Sequence, residues 1–171
     1  MKSSSYNQIV YGSLLHPKEL KSHGISIDMI EFVRVKGYKR IFNQEPSRRR
    51  ADTINRAVLN IQKDNNSWFN AILIKNISEN SLKELDIREI GYDRLNLQDG
   101  CVKCYKDGTI VQNCFVYMGK DGKQNSKILP NIDYFKLCLN GAKSHFDRFH
   151  IDYLSTTYQN SLEGIELISD I

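Results

Sequence analysis

The apolar residues of this chain change period once, and that change limits what it can fold into. As far as Met118 they alternate or gather in short runs bounded by Gly, Asn, Asp and Ser, which is strand spacing. Beyond Pro130, the residues Phe135, Cys138, Ala142, Phe146, Phe149 and Tyr153 recur at intervals of three and four, the stripe of a helix face. The class this predicts is α+β, a small mixed sheet of roughly six or seven strands curled toward a barrel, with helices packed on it. The 171 residues can close one core without staples. No repeat or linker divides them, so 1–171 reads as a single domain with 1–6 and 159–171 at its periphery.

The strands can be placed. Gln8-Ile9-Val10-Tyr11 runs into a Gly12-Ser13 turn, and His16-Pro17 to Gly24 reads as loop. From Ile30 to Phe42, Val33, Val35 and Ile41 fall on one face and Arg34, Lys36, Tyr38 and Arg40 on the other, a half-solvated strand. Arg56–Ile61 and Trp68–Ile74 flank Asp64-Asn65-Asn66-Ser67, a hairpin pattern. Extended segments are expected near 92–97, 101–105 and 110–118. A short helix is expected over about 80–89, with Ser81 and Glu84 as a capping box or Ser78 as the competing cap. One long helix then starts at Pro130-Asn131, with Asn131 as N-cap and Gly141 inside it.

Composition excludes little. The formal net charge is +4, mild enough to suit a small anionic substrate as well as nucleic acid. No run approaches the roughly 20 apolar residues of a membrane span, and MKSSSYNQ lacks the apolar region of a secretory signal, so the expected compartment is the cytoplasm. Cys101 and Cys104 form a CxxC, but no second pair completes a zinc set, and in a strand the two sulfurs point to opposite faces. They are expected to be reduced and not metal-bound. His145 and His150 lie about 140° apart on a helix, poorly placed as a metal pair.

Two features carry chemistry. On the short helix, Leu82, Leu85 and Glu89 fall within about 60° of one another, which puts a carboxylate on an apolar face. Burial there raises its pKa toward that of a general base; a structural ion pair with Arg88 or Arg94, or simple exposure at a fraying helix end, is the plainer alternative. The second feature is Tyr11-Gly12-Ser13-Leu14. Its glycine lets backbone approach a ligand, and its consecutive N–H groups can form a nest for a carboxylate or phosphate. It matches neither nucleotide-binding glycine pattern.

These features recur within an ordered set. Tyr11-Gly12-Ser13-Leu14-Leu15, Val35-Lys36-Gly37-Tyr38-x-Arg40-x-Phe42, Leu85-Asp86-x-Arg88-Glu89 followed by Gly91-Tyr92, and Val116-Tyr117-Met118-Gly119 succeed one another. The series resembles the gamma-glutamylcyclotransferase superfamily, with the glutathione-specific, ChaC-like branch as the nearer match (the AIG2-like proteins belong to the same group). It departs from that pattern at Trp68-Phe69-Asn70, where glycine is common, and at Arg48-Arg49-Arg50. The resemblance implies a small curled-sheet fold, no cofactor, and cleavage of a γ-glutamyl amide to 5-oxoproline. It makes Glu89 the acid/base, Tyr11, Gly12, Ser13 and Leu14 the cradle for the substrate, and Tyr92 and Tyr117 supporting hydroxyls.

Two rivals stand beside this reading. One is an inactive relative that binds without turnover. The other is a nucleic-acid binder using Arg34, Lys36, Lys39, Arg40, Arg48, Arg49, Arg50 and Arg56 with Tyr38 and Phe42 interleaved. Nearly balanced acidic residues count against the second: Asp and Glu number 20 against 24 Lys and Arg.

Overall fold

The structure, a computed structural model, describes residues 4–47 and 53–169; the Arg48-Arg49-Arg50 run lies outside them. Strand β1 (Tyr6–Val10) leads through a 3-10 turn at Ser13–Leu15 into α1 (Pro17–Ser22). Two long strands follow, β2 (Ile30–Gln44) and β3 (Asn55–Ile77), then α2 (Glu79–Arg88). After it come β4 (Tyr92–Asn96), β5 (Val102–Cys104), β6 (Cys114–Gly119) and β7 (Leu129–Pro130). Helices α3 (Ile132–Lys143) and α4 (Asp147–Thr156) precede a closing hairpin, β8 (Thr157–Ser161) and β9 (Gly164–Leu167).

These strands form one mixed sheet in the order β4-β6-β1-β3-β2-β8-β9, with β5 added to β2 and β7 to β3. The β1–β6, β2–β8 and β3–β7 pairs are parallel and the rest antiparallel. The α+β class with a mixed sheet holds; β4 and β9 end the order unpaired with each other, so the sheet does not close into a complete barrel. The hairpin from 157 occupies one margin of the sheet.

The centre of the sheet corrects two expectations at once. Arg56–Ile61 and Trp68–Ile74 are not hairpin partners; both belong to β3 and pair with β2 along its length. Lys36 pairs with Trp68 and Tyr38 with Lys63, so residues 64–67 stand opposite Gly37 alone. The turn chemistry in Asp64–Ser67 is present. Asp64 accepts from the Asn66 N–H at 3.0 Å and from the Ser67 hydroxyl at 2.8 Å, yet it shapes a bulge.

Gly37, at φ +93°, is the other half of that bulge and shifts the register of β2. Before it Val33 and Val35 point inward; after it Tyr38, Arg40 and Phe42 do. Arg40, expected on a solvated face, is therefore 0% exposed. Its guanidinium donates to Thr157 Oγ1 (2.8 Å), the Asn70 carbonyl (2.6 Å), Asn70 Oδ1 (2.7 Å) and Thr156 Oγ1 (3.1 Å). It lies 4.3 Å from the Tyr153 ring centroid. Burial lowers its pKa to about 10, so it remains a cation at neutral pH.

The helical end also differs. His16 to Gly24 is not all loop: α1 forms there, with Pro17 at its first position and His16 Nδ1 accepting from the Lys18 N–H at 3.1 Å. The single long helix is two. Asn131 caps α3 as expected, taking the Tyr134 N–H at 3.0 Å, but the chain breaks at 144–146 before α4 begins. Gly141 explains what the glycine inside α3 is for. A Cβ there would lie 2.6 Å from the His16 nitrogen and 2.8 Å from the Leu15 carbonyl carbon, so only glycine lets α3 press on the turn after β1. His145, at the break, holds the Leu15 carbonyl at 2.7 Å.

Candidate functional site

The turn so clamped is Tyr11-Gly12-Ser13-Leu14. In the 3-10 pattern the N–H groups of Leu15 and His16 bond to the Gly12 and Ser13 carbonyls, which leaves Ser13 and Leu14 N–H without an acceptor inside the turn. Gly12 admits a neighbour that no local signal announced: a Cβ on it would sit 2.6 Å from the Tyr134 hydroxyl. Tyr11 is buried, and its hydroxyl donates to the Tyr117 carbonyl at 2.6 Å, tying the turn to β6.

Glu89 faces this turn from the far end of α2. Ser78, not Ser81, caps that helix, taking the Ser81 N–H at 3.2 Å, and the helix ends one residue earlier than expected. Glu89 is its C-cap at φ −84°, ψ +61°, with its N–H on the Leu85 carbonyl at 2.9 Å. The side chain leaves the helical path, so Glu89 is half-buried and not enclosed on the apolar face with Leu82. The Ile90-Gly91 turn that follows needs its glycine. Gly91 has φ +88°, and a Cβ would collide with Ser47 Oγ.

The two sides enclose a cleft of about 120 Å³, lined by Tyr11 to Leu14, Leu59, Glu89, Tyr92, Tyr117 and Tyr134. It adjoins a hollow of about 240 Å³ that shares Ser13, Leu14, Glu89, Tyr92 and Tyr134 and adds His23 and Arg88. The structure thus brings Tyr11, Gly12, Ser13, Leu14, Glu89, Tyr92 and Tyr117 to one cleft, and adds Leu59 and Tyr134. A larger groove lies elsewhere among the described residues. It measures about 930 Å³, runs between Ile54, Pro130 and the β8–β9 hairpin, and contains none of these residues.

The phenols around the cleft are held neutral. Tyr92 donates to the Leu59 carbonyl at 2.8 Å and Tyr117 to Asp86 Oδ1 at 2.7 Å. Burial is the first cause raising the pKa of Tyr11, Tyr92 and Tyr117, and the Glu89 charge raises each further. Burial likewise raises that of Tyr134. The site is therefore one carboxylate, a ring of neutral hydroxyls and a backbone turn, an arrangement suited to moving protons and holding a small anionic group.

Other candidates lie apart from it. The four cysteines are free, and burial pushes the Cys114 thiol up to about 12. Burial also raises the pKa of Cys101 and Cys104, which disfavours the reactive thiolate. Among the described residues no group of three or more His, Cys, Asp or Glu side chains is placed to hold a metal ion. No described helix is long and apolar enough to cross a membrane. Four described members of the basic cluster have partners within the fold: Arg40 is interior, Arg34 lies 3.5 Å from Asp152, Lys39 3.3 Å from Asp64, and Arg56 2.6 Å from Glu45.

No family model and no curated protein matches the sequence. Solved structures do match in shape. One is a gamma-glutamyl cyclotransferase, with TM-score 0.65 and 15% identity over 97% of this chain and 95% of that one. A gamma-glutamyl cyclotransferase specific to glutathione, from yeast, aligns with TM-score 0.60 and 14% identity over 90% of this chain and 96% of that one. YkqA from Bacillus subtilis aligns with TM-score 0.64 and 18% identity over 86% of this chain; the match spans 52% of YkqA, about half its length. The chain has the gamma-glutamyl cyclotransferase fold.

Proposed function

We propose that this chain is a gamma-glutamylcyclotransferase-type enzyme that releases 5-oxoproline from a γ-glutamyl amide, either glutathione or another γ-glutamyl peptide or amine. The observation that carries the proposal is Glu89 facing the Tyr11-Gly12-Ser13-Leu14 turn across one small cleft. At about 120 Å³ the cleft is well below the roughly 300–1,000 Å³ of pockets for larger ligands, which suits a glutamyl group.

The reaction is an intramolecular aminolysis. The substrate's α-amino nitrogen attacks its own γ-carbonyl carbon, a lactam C–N bond forms, and the original amide C–N bond breaks. The nucleophile belongs to the substrate, so the chemistry asks for no protein nucleophile and no cofactor. Glu89 takes one proton from the α-ammonium group and delivers it to the departing amine, then accepts the second proton that the ring nitrogen sheds as the lactam forms and passes it to the released amine. The backbone N–H groups of Ser13 and Leu14 hold the α-carboxylate, and the walls fold the glutamyl chain into attack geometry. The adjoining hollow with His23 and Arg88 takes the amine half.

Incubation with glutathione and a panel of γ-glutamyl dipeptides, read out as 5-oxoproline, tests this. Turnover by the wild type and none by Glu89→Gln is the expected result. Equal rates in the variant would remove Glu89 from the mechanism, and a silent wild type would leave a binding protein that uses the same cleft.

A further inference from the structure

The turn that carries Glu89 is gripped from behind by a buried amide. Gln44, the last residue of β2, is 0% exposed, and its Nε2 donates to the Gly91 carbonyl at 3.0 Å. The Lys120 N–H reaches the same carbonyl at 2.9 Å, and the Tyr92 N–H donates to the Glu89 carbonyl at 3.2 Å. The other end of the Gln44 amide has no partner: among the described residues its Oε1 is buried without a hydrogen bond. It lies where a Cβ on Gly119 would be, beside Asn60 Oδ1, which would be 2.9 Å from that Cβ. Asn60 Oδ1 accepts the Gly119 N–H at 2.7 Å, and Asn60 Nδ2 donates to Asn43 Oδ1 at 3.2 Å. The Asn43, Gln44 and Asn60 amides therefore hold both the Glu89–Gly91 turn and the end of the strand bearing Tyr117.

A buried acceptor left unpaired lowers stability, and an apolar side chain of the same length would avoid that cost. The Gly91 carbonyl keeps the Lys120 N–H in any case. The stability of the fold therefore does not explain glutamine at this position; the placement of the Glu89 turn does. We infer that Gln44 is a positioning residue for Glu89: it acts through the Gly91 carbonyl and fixes the distance from the carboxylate to the Tyr11–Leu14 turn. Small errors in such a distance cost rate steeply. This inference rests on the cyclotransferase reading for its kinetic consequence but not for its structural one.

Gln44→Met keeps the shape and removes the donor. The expected result is a melting temperature within about 3 °C of wild type or above it, kcat for 5-oxoproline release down about tenfold or more, and KM changed less than about threefold. Amide exchange at Tyr92 and Lys120 is expected to quicken by about tenfold. Gln44→Glu supplies a check that packing alone would not move. A protonated carboxyl can donate to the Gly91 carbonyl and a carboxylate cannot, so its activity relative to wild type rises as pH falls from about 8 to about 5. Unchanged kcat and exchange in Gln44→Met, or a flat pH ratio in Gln44→Glu, would overturn the inference. If the wild type releases no 5-oxoproline, the proposed reaction fails, while the exchange rates at Tyr92 and Lys120 still decide the role of Gln44.

Discussion

Two charged side chains from the recurring motifs end in opposite circumstances. Arg40 lies at 0% exposure, with three residues accepting its N–H groups and a tyrosine ring beside it. Glu89 is half-buried at a helix end, opening onto a cleft ringed by neutral phenols. A buried charge is tolerated when its hydrogen bonds are made, and then it fixes geometry. A charge left at the edge of a cleft can change its protonation and its partners. The contrast sets a cation that holds the fold against a carboxylate proposed to react, and it can be tested from both sides.

The largest expected effect is on the chemical side. Glu89→Gln should lower 5-oxoproline release by about 10³-fold or more while leaving the melting temperature nearly unchanged; parallel losses of activity and stability would erase the contrast. Next is Gly12→Ala, whose Cβ must displace the Tyr134 hydroxyl. A loss of about 10²-fold in kcat/KM is expected. Adding Tyr134→Phe should recover part of it, because the ring carbon that bore the hydroxyl is 3.8 Å from that Cβ.

On the architectural side, Arg40→Met strands the Asn70 acceptors in the interior. About 2–4 kcal/mol of unfolding free energy should be lost in denaturant titration, with kcat per folded molecule unchanged. A large kcat effect at full stability would move Arg40 into the site.

The smallest effect calibrates the scale with a part-exposed pair. Hydrogen bonds from Arg56, at 2.7 and 2.6 Å, lower the Glu45 pKa to about 2. A carboxylate whose folded pKa lies below its unfolded value of roughly 4.3 stabilises the fold above that value, and the contribution fades as pH falls toward the folded one. Glu45→Gln should cost about 0.5–1 kcal/mol near neutral pH, as for a partly screened surface pair. Wild type and variant should converge as pH falls from about 4.5 to about 2.

How much of this was legible in the sequence follows the range of the interactions. Strand spacing, the Asn131 cap and the Gly12 turn are local, and each was readable. The Asp64–Ser67 turn was readable as a turn, but whether it reverses the chain or only bulges it depends on β2, a partner far away in sequence. Arg40 was misplaced because period-two alternation carries no record of Gly37 shifting the register. Glu89 was found on a helical wheel that the chain abandons at that very residue, so its enclosure on the apolar face was overstated. Tyr134 and Gln44 reach the site only through folding of distant segments, and nothing beside them in sequence announces it. Gly141 looked like a flaw in a helix until Leu15 and His16 were seen against it.

The paired bulge at Gly37 and residues 64–67 also makes β2 a strand of two phases. Flattening that bulge with Gly37 kept in the strand would restore unbroken alternation and rotate the segment beyond it by half a pleat. Lys39 would then face the core and Arg40 the solvent, while Gln44 would turn away from Gly91. One flattened bulge, itself outside the cleft, would thus undo the buried cation and release the backbone that presents Glu89. The joint in the strand sets the phase of both.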